Sequence, residues 1–412
     1  MQNRKFNITF AFVLFSTIVS SQNADLMDFD FIQHSKNKFL FTENNSDFKQ
    51  FYSKFKTCVE QKKDTVSIVH IGDSHIQANI FSDKFRENIE KQFAVKVGRG
   101  LVFPYKIAKT SRAIDFDIIK FSNDWTFAKN IDKQENNDLG ITGYSISTTK
   151  EKSFFTFKFL NDSDTISKNF VVKIWHKKTE NYSITIENKI AFKSEEFENN
   201  LVISSFDFAD FKNDTLRFEF ENKTTNSDEF KLYAIEIETA NENIKYHSEG
   251  VNGADVLAWL KTENLISQTK ILKPDLIIIS LGANDGYKAD YDEIFFENNY
   301  DLLLKKIRTE FPNSAILLTT SGDSFQNKSF ININNESIRM SILRLAQKYN
   351  CGVWDFYDVM GGLNSITKWK ENKLAQDDML HFTKQGYKLI ADLFTFAFVE
   401  EGNEAKRQKG NE

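Results

Sequence analysis

The sequence predicts an α/β protein whose parallel sheet is interrupted by an inserted antiparallel β-sandwich. Near the start and in the second half of the chain, continuous apolar runs of strand length precede apolar residues at helical spacing. Between these regions, apolar and polar residues alternate over many short segments. A continuous run is typical of a parallel strand covered on both faces, whereas alternation is typical of an antiparallel strand with one buried face.

Composition narrows the classes of function. The chain has 412 residues, which favours two or three domains, and a net charge of −5. This charge, without a basic stripe, argues against general nucleic-acid binding. The two cysteines, Cys58 and Cys351, are too far apart in the chain to suggest a disulfide framework, and either one bridge or two free thiols is consistent with the sequence.

Residues 1–21 predict a signal peptide. Arg4 and Lys5 precede an apolar run from Ile8 to Val19, and two serines follow it. The run is shorter than the ~20 residues that span a bilayer, so an uncleaved anchor is the second interpretation. No later run is long and apolar enough for a membrane span. We therefore expect an exported protein of the bacterial periplasm or exterior, without stable membrane insertion.

The other elements follow in chain order. Residues 22–64 read as a polar lead with a helical patch, and TVSIVHIG then predicts the first strand. Segments such as TLRFEFEN alternate across residues 112–243, and DLIIISLG, SAILLTTSG and CGVWDFYD predict further parallel strands. The first strand–helix unit is too short to bury its own core, so we assign residues 65–111 and 244–400 to one domain interrupted by the sandwich. The charged residues 401–412 predict a disordered tail.

Polar residues at the predicted strand ends are the candidates for chemistry. Ser74 in GDSH lies at the carboxyl end of the sheet, where open α/β folds bind ligands, but it needs a base and oxyanion donors to act. In DDMLH, Asp378 and His381 have a spacing that lets both face one point, with the imidazole taking the serine proton. Asp377 is the competing carboxylate, and only the three-residue spacing favours Asp378.

Two further motifs supply candidate donors. Asn284 in GAND follows a buried strand, and Gly253 lies in the turn EGVNGADV. Each is either an ordinary turn residue or a hydrogen-bond donor to an oxyanion. In this order, GDSH, Gly253, GAND and DMLH resemble the four sequence blocks of the GDSL or SGNH hydrolases. The one departure is His75, where the family motif has leucine.

The resemblance covers residues 65–110 and 246–399 approximately and implies a three-layer α/β/α hydrolase fold. By family role, Ser74 is the nucleophile, His381 the base and Asp378 its orienting partner. The oxyanion hole would combine the N–H groups of Ser74 and Gly253 with the Asn284 amide. The resemblance implies neither a metal nor an organic cofactor.

The insertion refines the expected function. Exported SGNH proteins with a β-sandwich after the serine block resemble bacterial peptidoglycan O-acetylesterases, whose inserted module resembles a carbohydrate-binding module. This implies a serine esterase that removes O-acetyl groups from cell-wall or extracellular polysaccharide, peptidoglycan first, with an acetylated glycan as partner. The alternatives are an O-acetyltransferase, a general lipase or thioesterase, and a non-catalytic glycan-binding protein. The sequence leaves the glycan-binding residues and the oligomeric state open.

Several motifs have two interpretations. GRGLVFPY and DLGITGYSIST either border the cleft or pack as loops, and SGDS after a later strand end either lines the pocket or forms a turn. Trp369 is either an aromatic wall for a sugar or a core residue. His70 and His75 flank the serine block without the spacing of a metal site.

Overall fold

A computed structural model describes residues 29–42, 45–133, 138–160, 168–224 and 228–409, with side chains up to residue 402. The predicted signal peptide therefore lies outside the described residues. The helices of the described chain are α1 (Ser46–Gln61), α2 (Ser74–Gln77), α3 (Ile80–Phe93), α4 (Val256–Leu260), α5 (Leu265–Leu272), α6 (Ala283–Gly286), α7 (Glu293–Glu310), α8 (Asn334–Tyr349), α9 (Phe356–Val359), α10 (Ser365–Glu371) and α11 (Lys384–Lys409). Two 3₁₀ turns cover His34–Lys36 and Glu198–Asn200.

The strands fall into a central sheet, two antiparallel sheets and one short hairpin. In chain order they are β1 (Phe39–Leu40), β2 (Val66–Gly72), β3 (Val97–Gly98), β4 (Leu101–Val102), β5 (Phe116–Phe121), β6 (Thr126–Lys129), β7 (Tyr144–Thr148), β8 (Lys152–Phe159), β9 (Phe170–Lys177), β10 (Tyr182–Ile186), β11 (Lys189–Ile190), β12 (Lys193–Phe197), β13 (Leu201–Phe208), β14 (Thr215–Asn222), β15 (Phe230–Thr239), β16 (Ile244–Gly250), β17 (Leu276–Ser280), β18 (Ala315–Thr319), β19 (Phe325–Gln326), β20 (Phe330–Ile331) and β21 (Gly352–Trp354).

The central sheet has the order β1-β21-β18-β17-β2-β16-β3, and all its pairings are parallel except that of β1 with β21. Strands β17 and β18 are almost entirely apolar because both faces of the sheet are covered, whereas β16 also buries His247, Ser248 and Glu249. In β17, Ile277 and Ile279 belong to the core that includes α7 and α8, whereas Leu276 and Ile278 belong to the core that includes α1, α3 and α11. The predicted three-layer α/β/α fold is confirmed.

The middle of the chain folds as two antiparallel sheets packed face to face. One has the order β11-β10-β14-β8-β5 and the other β12-β13-β9-β15-β7-β6. The Phe220 ring of the first sheet lies 4.7 Å, centroid to centroid, from the Phe230 ring of the second. The prediction of an inserted antiparallel sandwich is therefore confirmed, and the many phenylalanines fill its core.

Some details depart from the sequence predictions. The antiparallel sheets begin before residue 112, because Val102 of β4 pairs with Ile235 of β15; the remaining domain boundaries stay predictions. Residues 401–412 were expected to be disordered, but α11 runs to Lys409, since the Glu, Ala, Lys and Gln residues there favour helix. Cys58 and Cys351 are both buried and unpaired. No helix among the described residues is long and apolar enough to cross a membrane.

Candidate active site

Three neighbouring strands of the central sheet end side by side. Gly72 at the end of β2 pairs with Gly250 of β16 and with Ser280 of β17. The segments that leave these strands carry GDSH, the turn around residue 253, and GAND. Parallel register therefore brings three of the four sequence blocks to one edge of the sheet, as expected for ligand sites in open α/β folds.

Ser74 is the first residue of α2, directly after the β2 turn. Asp73 caps this helix, because its carboxylate accepts a hydrogen bond of 2.9 Å from the backbone N–H of His75. The Ser74 backbone N–H has no acceptor among the described residues. The Ser74 hydroxyl lies 2.8 Å from Nε2 of His381.

A compact loop holds His381 against Asp378. Oδ2 of Asp378 lies 2.8 Å from Nδ1 of the imidazole, and Oδ1 accepts the backbone N–H groups of Leu380 and His381 at 3.0 and 2.9 Å. An ionised carboxylate only accepts hydrogen bonds, so Nδ1 carries the proton and Nε2 is left to accept from Ser74. The structure brings the three predicted triad residues into one hydrogen-bonded chain.

The charge of Asp378 is stabilised in this loop. Partial burial raises the pKa of its carboxyl, but the hydrogen bonds from the backbone and ring of His381 and from Leu380 outweigh burial and lower the pKa below its usual value. Asp377 is different, because its side chain is 92% exposed and pairs with Lys370. The geometry therefore distinguishes the two carboxylates, which the sequence separated by spacing alone.

Asn284 and Gly253 flank the serine. The Asn284 amide donates to the Ala254 carbonyl at 2.9 Å and to the Asp73 carboxylate at 3.3 Å, so it links the segments on both sides of Ser74. Gly253 has φ +82°, a conformation that favours glycine, and open space lies where a Cβ would stand. Its N–H also has no acceptor among the described residues.

Asp73 is buried between these groups. Burial raises the pKa of its carboxyl to about 6, while the hydrogen bond from His75 and the nearby charge of His381 act in the opposite direction. Its contacts with the His75 N–H and the Asn284 amide make Asp73 a link between the nucleophile's helix and the asparagine loop.

His75 turns away from the serine hydroxyl. Its Nδ1 lies 2.9 Å from the Tyr387 hydroxyl, and its ring centroid lies 5.2 Å from that of His381. Packing among these rings removes the imidazole from water and, with the charge of His381, lowers the pKa of His75 to about 3. His75 is therefore neutral at physiological pH, and His381 is the imidazole that contacts Ser74.

Sequence reasoning missed Gln77, which ties the inserted domain to the site. Its Oε1 accepts the Tyr144 hydroxyl at 2.8 Å and the Asn252 backbone N–H at 2.6 Å. Tyr144 comes from DLGITGYSIST, so this motif supports the turn before Gly253 from within the core. Gln77 lies three residues after Ser74, but Tyr144 and Asn252 are far from it in the sequence, so no local pattern predicts these contacts.

Other motifs take the plainer interpretation. Trp369 is fully buried, so the aromatic-wall interpretation is wrong, and Phe103 of GRGLVFPY is buried as well. SGDS is the exception, because Ser321 lines a mainly apolar cavity that also reaches Asp73 and His75. Within the described ranges, no group of three or more His, Cys, Asp or Glu residues is placed to hold a metal ion.

Comparison with known proteins adds the family. Residues 233–389 match the family model described as GDSL-like Lipase/Acylhydrolase family. This part of the chain is therefore similar to the GDSL-like acylhydrolases. The match includes Gly253, Asn284 and the loop of His381 but begins after Ser74, which the sheet register places beside them. The prediction of an esterase is confirmed at the level of this family.

A search of the curated proteins found no match. Among solved structures, one of a peptidoglycan O-acetylesterase is 19% identical, with a TM-score of 0.70, and covers 89% of this chain and 99% of its own. A GDSL-like lipase from Bacteroides thetaiotaomicron is 20% identical over 38% of this chain and 76% of its own, with a TM-score of 0.29. A family two carbohydrate esterase from Cellvibrio japonicus is 12% identical over 69% of this chain and 99% of its own, with a TM-score of 0.30. The first therefore shares the fold beyond the acylhydrolase domain, and the other two scores carry no argument.

Proposed function

We propose that this acylhydrolase is an exported serine esterase that removes O-acetyl groups from cell-wall or extracellular polysaccharide, with peptidoglycan as the first candidate. The observation that carries the mechanism is the chain of two 2.8 Å hydrogen bonds from Ser74 through His381 to Asp378. The substrate class is supported by the fold shared with a peptidoglycan O-acetylesterase over 89% of the chain, which extends into the inserted sandwich.

The reaction begins at the Ser74 hydroxyl. Its oxygen attacks the acetyl carbonyl while Nε2 of His381 takes the proton, and the Asp378 carboxylate stabilises the imidazolium that forms. The tetrahedral intermediate collapses to acetyl-serine, and the imidazolium protonates the departing sugar oxygen. Water then attacks the acetyl-serine with His381 again as base, which releases acetate and restores the serine.

The developing oxyanion is stabilised by three donors. The backbone N–H groups of Ser74 and Gly253 are without acceptors among the described residues, which leaves both for this role. Both hydrogens of the Asn284 amide are directed at protein oxygens, and the contact with Asp73 is the longer of the two at 3.3 Å. We infer that the oxyanion takes over this hydrogen from Asp73 in the transition state.

The test is acetate release by the mature chain from O-acetylated peptidoglycan, with acetylated xylan as the second substrate and Ser74→Ala as the matched control. Release from peptidoglycan by the wild type alone supports the proposal. Release from xylan alone would support the serine-esterase mechanism but would identify an extracellular glycan, instead of peptidoglycan, as the substrate class. A transferase is distinguished by adding a non-acetylated acceptor glycan, because acetyl would then appear on the acceptor instead of in solution. If neither substrate loses acetyl groups, the proposal is wrong.

A further inference from the structure

At the end of the short hairpin formed by β19 and β20, apolar side chains are exposed and a polar side chain is buried. Phe330 is 67% exposed and Ile333 is 73% exposed, whereas the polar Asn332 between them is fully buried. Folding normally buries the apolar side chains and leaves the polar one in water. Apolar side chains that are exposed next to each other, while an asparagine between them is buried, are typical of a binding surface.

A buried polar network fixes this arrangement. The Asn332 amide donates to the Ser324 hydroxyl at 3.3 Å and to Oδ1 of Asn335 at 3.2 Å, and its backbone N–H donates to the Ser324 carbonyl at 3.0 Å. The Asn335 amide also donates to the Ser324 hydroxyl at 3.0 Å. These hydrogen bonds hold the Asn332 side chain inside, while Ile331 and Ile333 on either side of it are exposed.

The hairpin formed by β19 and β20, which we call the rim hairpin (residues 325–331), is attached to both catalytic loops. The Phe325 backbone N–H donates to the carbonyl of Met379, inside the Asp378–His381 turn, at 2.8 Å. On the other side, the Gln326 amide donates to the carbonyl of Gly286 at 3.2 Å, at the end of the helix that carries Asn284. The hairpin therefore stands beside the catalytic site.

The register gives the direction of the exposed ring. Gln326 and Phe330 are directly paired across the hairpin, so their side chains share one face. The Gln326 side chain reaches Gly286, and that face therefore turns toward the asparagine loop. Phe330 therefore lies on the same face of the hairpin as Gln326, whose side chain contacts the asparagine loop.

We propose that the rim hairpin is a glycan-binding element of the catalytic site, in which Phe330 receives the C–H face of a sugar ring next to the acetylated residue. A pyranose ring combines an apolar face with hydroxyl edges, and the hairpin combines Phe330 and Ile331 with the polar tip Asn327 and Lys328. A bilayer would need a larger apolar surface than these side chains provide. This inference rests on the proposed function, because it names how the same site holds its polysaccharide.

The test uses Phe330→Ala, Phe330→Trp and, as control, Leu302→Ala, whose side chain is 45% exposed on α7, outside the inserted domain. Each change is made in the wild type and in Ser74→Ala. Turnover is measured as kcat/KM on O-acetylated peptidoglycan divided by kcat/KM on p-nitrophenyl acetate. Binding of the Ser74→Ala forms is measured by co-sedimentation with O-acetylated peptidoglycan and with anionic phospholipid vesicles. Thermal unfolding verifies that each variant is folded.

We expect Phe330→Ala to lower the turnover ratio and the peptidoglycan affinity about tenfold, the effect of losing one stacked aromatic face, and Phe330→Trp to restore both. The Leu302→Ala control should stay within about twofold, as for a single exposed side chain elsewhere. Equal losses in Phe330→Ala and Leu302→Ala, no loss in either, or a loss confined to vesicle binding would overturn the inference. If the wild type releases no acetate but peptidoglycan binding still depends on Phe330, the proposed function is wrong and the glycan-binding role of the rim hairpin is supported.

Discussion

Replacing Asp378 by Asn tests how the catalytic imidazole is held. The asparagine oxygen can still accept the backbone N–H groups of Leu380 and His381, so the turn keeps its shape. Its NH₂ group, however, would face Nδ1 of His381 and force the proton onto Nε2, which then cannot accept from Ser74. We expect kcat on p-nitrophenyl acetate to fall by about 10³–10⁴, or about 4–5.5 kcal/mol in activation free energy.

The neighbouring carboxylate provides the matched control. Asp377 is exposed and pairs only with Lys370 at the surface, where such ion pairs contribute about 0–1 kcal/mol to stability. Asp377→Asn should therefore retain kcat within about twofold. Both variants are assayed at one pH, and their thermal unfolding is compared with that of the wild type. Equal losses of kcat in the two folded variants would refute the reasoning.

Two further predictions concern the oxyanion donor and a buried acid. Asn284→Ala should lower kcat by about 10²–10³ with little change in KM, as measured by steady-state kinetics on the same ester; a loss below about threefold would contradict its role. Glu249 is 1% exposed, neither carboxylate oxygen has a partner among the described residues, and burial raises its pKa to about 8 despite the opposing charge of Arg99. The pKa of Glu249 is higher in the folded protein than in the unfolded chain. The free energy of unfolding is therefore highest below pH ~4.5, where Glu249 is neutral in both states, and it decreases as the pH rises through about 8. In the wild type, the free energy of unfolding should fall by a few kcal/mol between pH 5 and 8.5, and in Glu249→Gln this decrease should be absent. Denaturant unfolding at several pH values measures it, and the same pH dependence in both proteins would contradict the prediction.

Much of the fold could be predicted because its signals are local. A strand buried on both faces is usually a continuous apolar run, as Leu276 to Ile279 is, and a half-buried strand usually alternates. Strand β16 departs from this pattern, because it buries His247, Ser248 and Glu249. Three of the four blocks of the candidate site could be placed together because each follows a parallel strand, and parallel strands end at one edge of the sheet. The sequence alone was ambiguous between Asp377 and Asp378, and the hydrogen bonds around His381 distinguish them.

The remainder depends on contacts between distant residues. Strand β1 has two residues and exists through its pairing with β21, more than 300 positions later, so no local pattern marks it. The Gln77 side chain is positioned by hydrogen bonds to Tyr144 and Asn252, which are far from it in the sequence. By residue type alone, Trp369 could contact a sugar or fill the core, and only its packing in the structure shows that it is a core residue. The burial of Asn332 likewise depends on its hydrogen bonds to Ser324 and Asn335, which no local pattern predicts.

The most direct test of the central claim, that Ser74 is the activated nucleophile of an acyl-enzyme, is labelling with a serine-directed fluorophosphonate, followed by peptide mass spectrometry. The account predicts one label per chain on Ser74, labelling slowed at least about 100-fold in His381→Ala, and none in Ser74→Ala. A folded wild type that takes no label, or one that is labelled at another residue, would contradict it.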